Sequence, residues 1–167
     1  MRPSIRPLIP ACILATVLGV VPAEAVVLDR DTGFDARDMD PQEPDIASTT
    51  RKLSTHQGRR VLAIIVRFYD RDAGWPLRVH LDATGGRRVD HVMNAFGEEC
   101  FVWPKGDRNA GKSGRASARG DRFVCRVPAR WVSPTKSISW KVCTRPPEDP
   151  SPGFEIDHAP SDQEWYG

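Results

Sequence analysis

Between residues 46 and 145 the apolar positions come in short runs that alternate with polar ones, and no stretch holds the three-to-four spacing of an amphipathic helix. "RRVLAIIVRFYD" is rich in β-branched and aromatic residues and ends at Asp70. "PLRVHLDA" places Leu77, Val79, Leu81 and Ala83 on one face of an extended chain. "RVDHVMNAF", "ECFVW", "RFVCRV" and "KSISWKVC" have the same character, and Ile46 to Leu53 reads as a first strand before them. "HQGR", "DRDAGWP", "TGG", "FGEE" and "SPTK" supply turns between them. The pattern predicts an all-β fold, a single small antiparallel β-sandwich of about seven short strands. A parallel sheet needs crossover helices, and the pattern contains none.

The hairpin "HLDATGGRRVDHVM" also predicts its own register. A two-residue Gly85-Gly86 turn would set Leu81 against Asp90, mixing apolar and charged groups on one face. A three-residue loop, Gly85 to Arg87, sets Ala83 against Val89, Leu81 against His91 and Val79 against Met93. Asp82 then faces Asp90, and facing like charges destabilise a sheet. Something positive should lie between them: the side chain of Arg87 or Arg88, or a bound Ca²⁺ held as in secreted calcium-binding repeats. Thr84 and Gly86 stand where two further acids would serve such a metal, so no metal ligand is assigned.

Charge divides the chain into segments. Residues 26–45 carry seven acids and two arginines, and residues 146–167 carry six acids and neither Lys nor Arg. Residues 46–145 carry 20 basic and 8 acidic residues, a net of +12. The first acidic segment has too few apolar groups to offset its ordering entropy and is expected to be disordered. The second, with five prolines, is expected to be a Pro-rich extended tail on which Trp165 and Tyr166 could still dock. The β-sandwich domain is thus placed at 46–145. A basic body flanked by acidic tails fits an anionic partner, or tails that fold back and neutralise it. No zinc finger, helix-turn-helix or aromatic RNA-binding motif accompanies the charge, so nucleic acid is not expected as the partner.

The first 25 residues form a separate unit. Arg2 and Arg6 precede an apolar run from Leu8 to Val21, and Pro22 and "AEA" follow it. This predicts a secretory signal peptide over 1–25, a secreted, extracellular chain beginning at Val26, and no stable membrane insertion after cleavage. Cys12 would leave with it. Of Cys100, Cys125 and Cys143, the predicted bridge is Cys100–Cys125, joining two neighbouring strands around the basic loop. Cys143 shares a strand face with Ser139 and Lys141 and is left as the odd thiol.

"GDRNAGKS", Gly106 to Ser113, fits G-x-x-x-x-G-K-[ST] at every fixed position. A phosphate loop must follow a buried strand and open a helix whose N–H groups face the phosphates. Here the chain runs on into "GRASARGDRF", which leaves room for no useful helix. The stretch reads instead as the first half of a mobile loop, Lys105 to Arg122, with six basic and two acidic residues. Its candidate ligand-binding residues are Lys105, Arg108, Lys112, Arg115 and Arg119.

Catalytic constellations are not evident. His56, His80, His91 and His158 form no H-E-x-x-H pattern, no C-x-x-C or G-x-S-x-G occurs, and no residue is assigned a catalytic role. No cofactor is predicted. "RGD" at Arg119 to Asp121 is read as a chance match in an Arg- and Gly-rich loop. Trp140 alternates with Ile138 and Val142 and belongs to the core. Trp75, Trp103 and Trp131 lie near prolines at strand ends, where they either cap the core or offer ring faces to a sugar.

The order "RRVLAIIVRFYD … LRVHLDATGGRRVDHVM … CFVW … RFVCRVPARWV … ISWKV … DHAPSD" resembles a group of small secreted β-sandwich proteins from high-GC bacteria. The arginine excess, 19 Arg to 5 Lys, agrees with such a source. The resemblance implies the fold and an extracellular location, and it implies no catalytic residue. The expectation is a non-catalytic protein acting at the cell envelope by surface binding of a polyanion or glycan. A calcium- or sugar-dependent recognition module and an extracellular enzyme are the alternatives.

Overall fold

A computed structural model of the chain describes residues 26–35, 44–69, 76–132, 138–144, 158–160 and 165–167. The signal peptide, Trp75 and the "DRDAGWP" and "SPTK" turns lie outside the described residues or mostly so. The strands are β1 (Val26–Phe34), β2 (Ile46–His56), β3 (Arg59–Phe68), β4 (Leu77–Asp82), β5 (His91–Phe96), β6 (Glu99–Pro104), β7 (Lys112–Arg119), β8 (Arg122–Pro128), β9 (Ser139–Thr144) and β10 (His158–Ala159). All seven expected strands are present, as β2–β6, β8 and β9.

Three strands were not expected. β1 forms where disorder was predicted, pairing antiparallel with β2 from Val26↔Thr55 to Phe34↔Ser48. Its own burial is slight, but β2 offers it a full edge of backbone donors and acceptors. β7 forms inside the basic loop, and β10 and the final residues of the tail join β9.

The architecture also differs from a two-sheet sandwich. One antiparallel sheet runs in the order β1-β2-β3-β8-β7-β6-β5-β4-β9-β10 and curls into a half-barrel. Pairing is continuous along this order, so nothing divides it into two layers. The hairpins β4 to β8 run backwards across the sheet and deliver β8 to β3. There Ile64↔Cys125 and Val66↔Phe123 pair on the inner face.

Strict alternation fills the half-barrel. Leu62, Ile64, Val66, Leu77, Val79, Met93, Val102, Phe123, Val127 and Trp140 point inward and are buried. At roughly 25 cal/mol per Å² of apolar area, this interior is the main stabilising term. The two ends of the curled sheet meet through Trp140, whose Nε1–H donates to Thr49 Oγ1 at 2.9 Å. Arg51 of β2 also points inward, with its guanidinium 5.4 Å from the Trp140 ring and 2.5 Å from Asp29 Oδ2.

The disulfide Cys100–Cys125 is present, and Cys143 is free and buried. The bridged strands are not neighbours, however: β7 runs between β6 and β8. Two strand steps span about 9.5 Å in a flat sheet, whereas the two Cα atoms are 6.0 Å apart. The sheet therefore folds sharply at β7, and Gly114 lets it. A Cβ there would lie 2.5 Å from Arg126 O, 2.6 Å from Val127 Cγ1 and 3.0 Å from Cys100 Sγ.

Candidate functional site

The β4–β5 register is as expected, with Leu81↔His91 and Val79↔Met93, although the ladder stops before Ala83. Gly85 and Arg87 take the left-handed conformation, φ 81° and 54°. This turns the loop's N–H groups onto Asp82. Its Oδ1 accepts from Thr84 N at 3.0 Å and Gly85 N at 2.7 Å, and from the Thr84 hydroxyl; its Oδ2 accepts from Arg87 N. Asp90 Oδ2 accepts from Ala83 N at 2.9 Å, and Oδ1 meets His91 Nδ1. Backbone N–H groups thus supply positive charge to both aspartates, and among the described residues no arginine side chain is ion-paired with either. Burial pushes the Asp82 pKa up, and the donors of Gly85, Thr84 and Arg87 outweigh it and hold the carboxyl below its ordinary value. Each carboxylate oxygen of Asp82 and Asp90 thus has at least one hydrogen-bond partner within the hairpin.

The phosphate-loop pattern is resolved the same way. Asp107 caps a 3₁₀ turn over Arg108–Ala110, with Oδ1 accepting from Asn109 N at 3.1 Å and Ala110 N at 3.2 Å. A carboxylate of the chain itself occupies the N–H groups a phosphate would need, and Gly111 leads into β7. The context is strand–turn–strand, without a helix.

The five candidate cations separate by strand parity. Gly114, Ala116 and Ala118 face inward, so Ser113, Arg115, Ser117 and Arg119 face out. Lys112 shares the inward parity and lies over the Trp131 ring at 6.0 Å. It is apart from the others, and the segment Lys112–Arg119 is a strand rather than a mobile loop.

On the outer face Arg115 stands directly opposite Arg126, and Arg119 directly opposite Arg122. Arg67 of β3 continues the second row opposite Arg122. All five are exposed. These two rows are four residues apart, about 13 Å along the strands, with Ser117 and Val124 between them, and neighbours within a row lie about 4.8 Å apart across the strands. Arg67 pairs with Asp121 at 3.2 Å, and Glu99 faces Arg115 in register. Among the described residues no carboxylate is ion-paired with Arg115, Arg119, Arg122 or Arg126. Arg119-Gly120-Asp121 is simply the β7–β8 turn, with Gly120 at φ 59° and Asp121 O accepting from Phe68 N.

Next to this face lies a groove that sequence reasoning did not find. Arg78 and His80 of β4 project outward beside Asn94 and Val92 of β5, and Phe101 and Trp103 of β6 follow in register. The turn bearing Lys105 and Arg108 rises over them and closes one side. Arg78 is only 8% exposed, and its Nε donates to Asn94 Oδ1 at 3.2 Å. Lys105 and Arg108, both proposed from sequence, thus sit together in this groove, while Arg115 and Arg119 sit on the arginine face.

Comparison with family models, with curated proteins and with solved structures finds no match to this chain. The geometry alone therefore carries the functional argument. Two features bear on location. The disulfide belongs to oxidising compartments, and among the described residues no helix is long and apolar enough to cross a membrane.

Proposed function

We propose that this is a secreted, non-catalytic β protein that binds an anionic polymer of the cell envelope through the arginine face of β3, β8 and β7. The observation that carries the reading is the pairing of Arg115 with Arg126 and of Arg119 with Arg122. Like charges directly opposite one another cost a few tenths of a kcal/mol or more per pair. An anion lying across each facing pair converts that cost into attraction. Two arginine rows about 13 Å apart, with neighbours about 5 Å apart within each, suit an extended polyanion that reaches both rows better than a single small ion.

The disulfide and the signal-like leader support an extracellular setting. Among the described residues, the Asp82 and Asp90 carboxylates hold the β4–β5 loop, which supports reading the protein as a binder.

The test mixes the purified protein with isolated cell wall and with soluble polyanions at low and high salt. Retention at low salt, released by high salt, supports the reading. Equal retention at both, or no binding to any polyanion, contradicts it.

A further inference from the structure

The groove beside the arginine face has the composition of a different kind of site. It has two lobes of about 500 and 390 Å³, within the size range of small-ligand pockets. Both lobes are lined by Arg78, Trp103 and Arg108. Trp103 is half-buried and lines both lobes. Asn109 lines one lobe, and Asn94 and Ser113 the other. Neutral amides and a hydroxyl around an aromatic ring suit a pyranose: C–H groups pack on the ring while hydroxyls meet the amides.

The charge is equally defined. Arg78 is held by Asn94 and sunk among its neighbours, so its orientation is set before any ligand arrives. Lys105 and Arg108 add two cations from the overhanging turn. The acid in that turn, Asp107, is engaged by the N–H groups of Asn109 and Ala110. The groove therefore presents three cations against one carboxylate, with amides, around one ring.

We infer that this groove binds a pyranose bearing an anionic group, with Trp103 against the sugar ring and Arg78 and Arg108 on the charge. The site differs from the arginine face and does not depend on it. A short acidic sugar should bind here even if no polymer binds there. A carboxylate and a phosphate on the sugar share this chemistry, and separate probes distinguish them.

The experiment is calorimetric titration of the purified protein with a galacturonate trisaccharide, glucose 6-phosphate, neutral cellotriose and inorganic phosphate. At least one of the two anionic sugars should bind about tenfold or more tightly than both cellotriose and inorganic phosphate, the difference expected for a charge-assisted contact added to stacking. Trp103→Ala and Arg108→Gln should each weaken that binding about tenfold. Both positions are solvent-reachable, and unchanged melting of each variant shows that it folds. Arg115→Gln with Arg126→Gln should leave the short sugar's affinity unchanged.

Cellotriose binding as tightly as the acidic sugars would overturn the assignment of charge. Inorganic phosphate binding as tightly would overturn the sugar. Absence of binding, or indifference to Trp103→Ala, would overturn the groove. Loss of binding only in the Arg115→Gln/Arg126→Gln variant would overturn the groove while leaving the arginine face intact.

Discussion

Tyr166 packs its ring against Gly33 and so fastens the end of the chain to its first strand. A Cβ on Gly33 would overlap the ring at Cδ1, Cε1 and Cζ. The Tyr166 hydroxyl donates to Phe34 O at 3.0 Å, and its backbone exchanges two 3.0 Å hydrogen bonds with Trp140. One residue thereby links β1, at one end of the curled sheet, to β9, next to the strand at the other. Tyr166→Ala should cost about 1–3 kcal/mol, below a fully buried aromatic because the ring is half-buried. Gly33→Ala should also destabilise, by displacing the ring. Once Tyr166 is Ala, adding Gly33→Ala should cost little more. Denaturant melts of the four proteins in a double-mutant cycle check this; additive costs would show that the two residues act separately.

Gly114 is the hinge of the fold. Gly114→Ala should destabilise by about 1–3 kcal/mol, because the added carbon meets the backbone oxygen of Arg126 as well as side chains. Replacing both Cys100 and Cys125 by Ser should cost about 3.5 kcal/mol in the loop-entropy model for a separation of 25 residues. Thermal melts with and without reductant measure both effects. A Gly114→Ala protein as stable as the parent would mean that the strands can separate at that point.

Asp82 makes stability depend on acid. Its pKa is lower folded than unfolded. The ionised carboxylate therefore contributes stability above the unfolded value, about 3.9, and that contribution is lost as pH falls through the folded value. Asp82→Asn should lower stability at pH 7 by about 1–3 kcal/mol, since its amide can satisfy fewer of the loop donors. The variant should also lose less on acidification than the parent. Melting from pH 7 down to pH 2 tests the slope. Calcium should not shift the melting temperature, because the oxygens of Asp82 are engaged by its own loop.

Arg51 is a buried cation, its side chain 4% exposed, and its Nε–H has no hydrogen-bond acceptor among the described residues. Asp29→Ala should destabilise by about 1–2 kcal/mol, because it leaves that charge uncompensated; the partly exposed Asp29 keeps the figure modest. Adding Arg51→Met should recover much of the loss by removing the charge while keeping the stem packed against Trp140. Urea unfolding of the single and double variants decides it. A double variant worse than Asp29→Ala alone would show that the guanidinium is stabilising by its contact with the ring.

The strands rich in Val, Ile, Leu and Phe were legible in the sequence because period-two burial writes itself in apolar residues. β7 was not: "KSGRASAR" fills its inner positions with Gly114, Ala116 and Ala118, and at Gly114 the disulfide and Val127 leave no room for more. Small residues at alternate positions carry no hydrophobic signal. β1 was hidden by its two aspartates, Asp29 and Asp31, which lie in register beside Leu53 and the buried Arg51. The Cys100–Cys125 pair was legible, but the strand between its halves was not. Lys105 and Arg108 were found by local charge. Arg78 and Trp103, from different strands, could join them only through the register of β4, β5 and β6. Arg126, Arg122 and Arg67 were similarly dispersed until β8 and β3 aligned them.

The central claim rests on the face where Arg115 meets Arg126 and Arg119 meets Arg122. The direct measurement is affinity for a soluble polyanion against salt concentration, for the parent and for a variant with these four arginines changed to Gln. The parent's log affinity should fall linearly with log salt, as counterions are released. The variant should bind at least about tenfold more weakly at low salt, follow a shallower slope, and melt no lower than the parent because like-charge contacts are relieved. A variant with the parent's affinity and slope, or a parent whose binding ignores salt, would contradict the account.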